Sequence, residues 1–330
     1  MRDAVEASGI DVTHPLYSLI GSLSARLLDS RSDSTVRKYF YGFRKWEKFI
    51  QEHNFVSIHA QPIHVALYIT HLLDSGATYS TVNTAVYSIK LAHELCGKSY
   101  PTNNAFVNNL VDSAKRTSKP PVNKKDPVNS DMLIALCSMF KDSSDLLIVR
   151  DLTMILLSFS AFLRFNELSN LKCNDIFIRD THLVIKIRKS KTDQYREGDE
   201  VLVGKGESLA CPYSMFLKYV GLANLDLKSD LFLFRPLYRS KNKCALVKVN
   251  KSISYTTARE CILKRFKLVS SDLNLGLHSL RSGGATMAAN SDVKERCWKR
   301  HGRWKSESSK DGYVVDSLSS RLDVSKNLGL

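Results

Sequence analysis

The sequence predicts a mainly α protein with one small β-hairpin, divided into two domains. Three observations carry that reading. The chain has 330 residues, more than one domain usually holds. Apolar residues recur at helical spacing through most of it, but at 182–187 and 200–203 the period changes to alternation, the mark of paired strands. Residues 118–128, SKPPVNKKDPV, hold three prolines and three lysines with nothing to bury, which is the composition of an interdomain linker.

Residues 1–14 are polar and mixed, and a frayed, flexible N-terminus is expected there. At 15–28, Leu16, Ile20, Leu23 and Leu27 keep helical spacing. Ser32, Ser34 or Thr35 then caps a stronger helix whose Val36, Tyr39, Phe40, Phe43, Trp46 and Ile50 form one apolar stripe. Its other face carries Arg37, Lys38, Arg44, Lys45 and Lys48. A third helix spans 62–73 and ends at Gly76. Ser80 caps a fourth, in which Val82, Ala85, Val86, Ile89 and Ala92 share a face before Gly97 stops it. A fifth covers 103–115, so 15–117 reads as an all-helical domain.

The second domain, 129–330, opens with helices at 130–140 and 145–159. The latter is apolar enough, with Leu152, Ile155, Leu156 and Phe159, to be a core helix. A short amphipathic piece at 166–171 precedes the hairpin, whose connection KSKTDQYREGD is polar, basic and contains Gly198. Helices resume at 211–221, at 255–268 behind Ser254 as N-cap, and at 279–290, 293–300 and 308–315. The chain shows neither an internal repeat nor a low-complexity tract.

Lys and Arg outnumber Asp and Glu by 48 to 33, for a formal charge of +15. A polyanion bound to such a surface releases counterions, and nucleic acid is the expected polyanion. On that view Arg37, Lys38, Arg44, Lys45, Lys115, Arg116, Lys119, Lys124 and Lys125 are candidate DNA contacts, and the linker crosses phosphates while two domains clamp a duplex. The plain alternative is a solvated face and a solvated connector. Seven cysteines are scattered singly without a CxxC pair, and no HExxH occurs among nine histidines, so neither a disulfide framework nor a metal site is expected. The absence of an apolar run of membrane-spanning length, and an acidic N-terminus without an apolar h-region, predict a soluble, intracellular protein.

Cleaving a phosphodiester without metal requires cations on the non-bridging oxygens, a nucleophile, and an acid for the leaving oxygen. Arginine suits the first task because its planar fork donates bidentate hydrogen bonds and stays charged. Arg164 sits amid Phe162, Leu163, Phe165 and Leu168, where a cation needs an anionic partner, and Glu167 lies three residues on. A purely structural ion pair between the two is the competing reading. His278 and Arg281 are three apart, so both can project from one helical turn. Ser282-Gly283-Gly284-Ala285-Thr286 is small enough to let that helix pack closely on a backbone. Trp304 offers an indole N–H, or is a core aromatic, and Tyr313 follows a polar stretch and is not deeply buried.

The joint order AFLRFNELSNLKCNDI, a hairpin ending in SKT, HSLRSGG, GRW, and a tyrosine nine residues after that tryptophan resembles the tyrosine recombinase (phage integrase) family. The similarity covers 128–315, and the five-helix region before it is similar, less specifically, to the family's core-binding domain. The segments HSLRSGGAT and HGRWKS look most like recombinases of eukaryotic mobile elements of the Crypton and DIRS type. The resemblance implies a helical core-binding domain plus a mixed α+β catalytic domain.

It further implies that Arg164 and Arg281 hold the scissile phosphate, that Lys191 or its rival Lys189 protonates the 5′-oxygen, and that His278 accepts a proton or donates to phosphate. Glu167 orients the site. Trp304 stands where most members carry His and some carry Trp, while His301, twelve residues before Tyr313, has the wrong spacing. Tyr313 attacks phosphorus to form a 3′-phosphotyrosyl link, with no metal, ATP or other cofactor. The implied partners are double-stranded DNA and three further copies of the chain, with a nuclear location if the host is eukaryotic. The tail after Tyr313 packs in trans on a neighbour or folds back in cis. Two other readings share these residues: a domesticated DNA-binding protein without strand exchange, and a type IB topoisomerase.

Overall fold

The structure, a computed structural model, describes residues 5, 7–117, 124–188, 190, 198–240, 243–291 and 293–329. Lys119, Lys189 and Lys191 lie outside the described residues. The fold is mostly helical with two small antiparallel sheets. The chain divides into two compact units, Met1–Asn123 and Lys124–Leu330.

The first unit is built from α1 (Leu19–Asp29), α2 (Asp33–Glu52), α3 (Pro62–Asp74), α4 (Tyr79–Leu95) and α5 (Ala105–Thr117). The expected first helix is split, because Pro15–Ser18 forms a 3-10 turn ahead of α1, which buries none of its residues. Of the three candidate caps for α2, Ser32 is used, accepting from the Thr35 N–H. Trp46 and Ile50 of α2 pack against Val65, Ile69, Val82, Ile89 and Val107. Phe40 does not join that stripe: it is 58% exposed and meets the Tyr41 ring edge-on. Of that stripe Trp46 and Ile50 are buried and Val36, Tyr39 and Phe43 partly so, and Phe40, though at helical spacing from 36 and 43, lies at the outer edge of the face. Thr78, not Ser80, is the N-cap residue of α4. Arg37, Lys38, Arg44, Lys45, Lys115 and Arg116 are all exposed, and Arg44 pairs with Glu47 at 3.1 Å.

In the second unit α6 (Ser130–Met139), α7 (Leu146–Ser160) and α8 (Phe165–Asn170) lead into β1 (Ile176–Ile178), β2 (His182–Ile187) and β3 (Asp199–Gly204). There follow α9 (Pro212–Ala223), β4 (Leu237–Ser240), β5 (Lys243–Leu246), α10 (Tyr255–Phe266), α11 (Leu277–Ala289), α12 (Glu295–His301), α13 (Glu307–Asp311) and α14 (Leu318–Lys326). The expected hairpin is β2–β3, with Leu183 opposite Val203 and Ile185 opposite Val201, all four facing the core. β1 adds a third strand along β2, and β4 pairs with β5 in a separate hairpin. Neither was expected, since β1 is a three-residue apolar run and β4–β5 alternates too weakly to show a period.

Residues 124–128 belong to this unit rather than to a free linker. Asp126 donates its N–H to the Asn274 carbonyl and Val128 to the Ser279 carbonyl, each at 3.1 Å, and Val128 is buried. That approach is possible because Gly283 has no side chain: a Cβ there would collide with the Val128 carbonyl. Gly284 likewise admits the Phe159 carbonyl and the Phe162 ring.

The expected core helix is α7, against which α9, α10 and α11 pack. It is less uniformly apolar than its leucines suggest. Asp151 is buried and accepts from Arg150 Nη2 at 2.9 Å and from Arg265 Nη2 at 3.0 Å, so the two halves of one carboxylate tie α7 to α10. Asp151→Ala leaves two guanidinium groups buried without their anion, and unfolding in urea should show a loss of about 3 to 5 kcal/mol. A loss under about 1 kcal/mol would mean that this pairing contributes little.

Candidate active site

The site forms where α7 stops. Its C-cap is Ala161, after which Phe162 enters the left-handed region at φ 48°. The N–H groups of Phe162 and Leu163 fold back on the carbonyls of Phe159 (3.4 Å) and Ser158 (3.0 Å), closing a Schellman turn. The carbonyls of Ser160, Ala161 and Phe162 are left facing away from the helix, at its negative end. His301 Nε2 donates to Ser160 at 2.7 Å, Arg303 Nη1 to Ala161 at 3.3 Å, and both Arg281 Nη1 and Arg303 Nη2 to Phe162.

The anion of the cluster is Glu167, at 3% exposure. Arg164 is the N-cap residue of α8, and Glu167 at the third helical position reaches back to it, accepting from the Arg164 N–H at 2.9 Å and from its Nη1 at 2.7 Å. Arg303 Nη2 reaches the same carboxylate at 2.8 Å, and Arg281 Nη1 lies 3.9 Å away. Burial disfavours the charged carboxylate, but Arg303, then the Arg164 N–H and guanidinium, outweigh it, and the Glu167 pKa falls below its ordinary value. Three guanidinium groups against one carboxylate leave the cluster with an excess of two positive charges. Arg281 is fully buried, and burial together with Arg164 pulls its pKa down to about 10, so it remains charged at neutral pH.

Arg303 was not among the residues expected from sequence. It is 7% exposed and stands at φ 58°, the left-handed position of a second Schellman turn that ends α12, with its N–H on the Arg300 carbonyl (2.9 Å) and that of Trp304 on Lys299 (3.2 Å). Two bulky residues in left-handed geometry, Phe162 and Arg303, thus face each other, each at a cost on the order of 1 kcal/mol. The sequence signal was a cation wedged between Gly302 and Trp304. Gly302 is obligatory there, since a Cβ would strike the indole ring.

Trp304 is 5% exposed and packs against Phe162, Trp298 and Tyr313. The Arg281 guanidinium lies 4.5 Å from the Trp304 ring centroid and 5.1 Å from that of Tyr313. Among the described residues five buried side-chain polar atoms lack a hydrogen-bond partner, and three of them are here: Arg281 Nε, Arg303 Nε and Trp304 Nε1. Buried donors without partners are rare, and clustered ones mark a place suited to an anion.

The structure therefore brings Arg164, Glu167, Arg281, Trp304 and Tyr313 together. His278 is exposed on the first turn of α11, whereas Arg281, one turn on, is fully buried. His301 is engaged with the Ser160 carbonyl and the Phe162 ring. Tyr313 is half-buried, as expected, but sits in a turn after α13 instead of inside a helix over 308–315. Beside Trp304 opens a cleft of about 920 Å³ whose lining includes Arg296, Lys299, Arg300 and Lys305, cations that sequence reasoning passed over although they stand in one basic run.

A buried guanidinium cluster with a tyrosine ring against it, at the end of a core helix, has the charge and the unpartnered donors to take an anion such as a phosphate. No family model matches the chain. It is 26% identical over 298 residues to an integrase/recombinase XerD homolog from Selenomonas ruminantium, spanning 88% of this chain and 83% of that protein. The fold is similar to that of the XerH site-specific recombinase in a post-cleavage complex with a palindromic difH substrate. There the TM-score is 0.57 at 14% identity, covering 90% of this chain and 78% of that one. A lambda integrase dimer bound to a COC′ core site gives a TM-score of 0.55 at 15% identity, covering 92% and 96%. The fold of this chain is that of the tyrosine recombinases, and fold and sequence similarity together support the tyrosine recombinase/integrase family.

Burial lowers the pKa of His301 below 6.5 against its bond to Ser160, and burial does the same to His93 in the first unit. Both rings are therefore kept neutral by folding, and the unfolded chain takes up their protons first. The stability these two groups contribute should be fully present above the ordinary histidine pKa of about 6.5 and should decline as the pH falls below it. Urea midpoints on either side of that pH read the effect, and a midpoint that rises on acidification contradicts the assignment.

Proposed function

We propose that this chain is a site-specific DNA recombinase that cleaves and rejoins strands through a covalent 3′-phosphotyrosine. The observation that carries the reading is the convergence of buried arginines, three N–H donors without partners, and a tyrosine ring within about 5 Å of the Arg281 guanidinium. In this reading Arg164 and Arg281 hold the scissile phosphate and Trp304 Nε1 donates to it. Arg303 holds Glu167, which in turn orients Arg164. Tyr313 Oη attacks phosphorus and gives its proton to His278. The 5′-oxygen leaves as a hydroxyl, with its proton from Lys191 or Lys189. Attack by a 5′-hydroxyl on the phosphotyrosine reverses the step, so bond energy is conserved and strands rejoin.

The wider reading has the basic surface, Arg37, Lys38, Arg44 and Lys45 with Lys115, Arg116, Lys119, Lys124 and Lys125, contacting the DNA backbone, together with the cations of the 920 Å³ cleft. Four protomers act on two paired duplexes. Kinship with Crypton and DIRS elements, action on the ends of a mobile element, and a nuclear location in a eukaryotic host complete it. The XerD-homolog relative and a DNA-bound lambda integrase dimer of similar fold support the recombinase and DNA-contact parts of this reading, and the HSLRSGGAT and HGRWKS segments support the kinship with Crypton and DIRS elements.

Nicked suicide duplexes carrying the terminal repeats that flank the gene should trap a covalent protein–DNA adduct on a denaturing gel. Tyr313→Phe should abolish it, and an adduct surviving that change assigns the nucleophile elsewhere. DNA binding without any adduct on genuine ends would favour the binding-only protein, and sequence-indifferent plasmid relaxation the topoisomerase.

Arg281 also braces the Phe162 and Gly302 carbonyls, so Arg281→Lys, which keeps the charge and loses the fork, is the cleaner test of that position. Binding should persist through the many other cations, while adduct formation drops by about 100-fold to 1,000-fold. Near-normal cleavage by this variant contradicts the role given to Arg281.

A further inference from the structure

Beyond Arg281 the helix α11 presents Ser282, Thr286 and Asn290 at steps of four, on one face and followed by the helix end. All three spend their side chains on the main chain around Tyr313. Ser282 Oγ donates to the Tyr313 carbonyl at 2.6 Å and Thr286 Oγ1 to the same oxygen at 3.3 Å. Thr286 Oγ1 also accepts from the Val315 N–H at 3.1 Å. Asn290 donates through Nδ2 to the Val315 carbonyl at 3.0 Å and accepts at Oδ1 from the Ser317 N–H at 3.1 Å. The segment from Tyr313 to Ser317 has no regular secondary structure, so these bonds take the place of a strand partner.

The same segment covers Arg281. That residue has no exposed surface, and the Tyr313 ring is one of the two aromatic faces over its guanidinium. A phosphate can reach the guanidinium only if a ring moves. Two motions are available: the whole segment lifts away, or the backbone stays and the Tyr313 ring turns about its side-chain torsions. Five hydrogen bonds to α11, the helix that carries Arg281 itself, oppose the first and leave the second free.

We infer that Ser282, Thr286 and Asn290 are positioning residues that fix the backbone of the nucleophile to the arginine helix of its own protomer, so that ring rotation alone uncovers Arg281 and presents Oη. This rests on the recombinase reading of Tyr313. A displacement of the reacting atoms by about 1 Å costs up to about 100-fold in rate, so a loosened backbone is felt directly in the chemistry.

The test uses the full chain and two readouts. Asn290→Ala alters an exposed residue at the end of α11 and leaves the core untouched, and Thr286→Ala removes the central rung. In native-state exchange the Ser317 amide in the first variant and the Val315 amide in the second should exchange about 10-fold faster. Single-turnover adduct formation on the nicked duplex at saturating protein should fall by about 10-fold to 100-fold with DNA affinity unchanged. Thr286→Ser, which restores the hydroxyl, should restore both. Wild-type exchange in the Ala variants overturns the inference, because the bonds then hold nothing. So does faster exchange with an unchanged or increased adduct rate, which would make the rungs neutral or restraining. If the wild-type chain forms no adduct, the recombinase reading has failed, and the exchange data still decide whether the rungs hold the segment.

Discussion

The second unit depends on how the last carbonyls of α7 are satisfied. A helix end turned into a protein interior leaves oxygens without donors, and such groups cost more unpaired than a hydrogen bond returns when made. Here the donors are Arg281 of α11, His301 at the end of α12 and Arg303 in the turn that follows, and the two arginines bring positive charge to the negative end of the helix dipole. The same three carbonyls thereby recruit the cations that make the site. Like charges so close would repel, and among the described residues Glu167 is the carboxylate that offsets them. Gly283 and Gly284 let α11 approach closely enough for Arg281 to reach.

The parts of this arrangement legible in the sequence were those with a period or a fixed spacing. Most of the helices and the β2–β3 hairpin follow from repeating apolar residues, and Arg164, Arg281, Trp304 and Tyr313 from an order of motifs too long for chance. What stayed hidden depends on contacts between distant segments. Asp151 and Arg150 look like interruptions in an apolar helix until Arg265 of α10 is placed beside them. Arg303 is one cation in a basic run, and nothing local says that it turns inward with left-handed geometry. Phe40 shares the spacing of the apolar stripe, and only the packing of the neighbouring helices decides that its edge position stays exposed. Val128 was given to a linker because the glycine that admits it lies 155 residues away (283 − 128).

The site as it stands is closed. Arg281 is sealed beneath two aromatic rings and already uses Nη1 and Nη2 on carbonyls, while Nε of both Arg281 and Arg303 and the indole N–H of Trp304 remain without partners. A protein that keeps buried donors unsatisfied gives up stability, and the usual reason is that another state satisfies them. Phe162 and Arg303, both in left-handed geometry, fit the same pattern of stored cost at one place. Closure also keeps the Arg281 guanidinium from solvent and from any anion that does not first turn a ring aside.

Glu167 and Arg303 meet across 136 residues of chain. During synthesis the α7 turn, Arg164 and Glu167 emerge first and Arg281 follows before α12, so a growing chain carries the carboxylate with two of its arginines before Arg303 and Tyr313 are made. Tyr313, ten residues beyond Arg303 (313 − 303), comes last of all. If Tyr313 breaks DNA, a ribosome-bound or prematurely ended chain that stops before α13 is harmless by construction. The order of residues then acts as a safeguard, because the group that attacks is made only after the groups that restrain it.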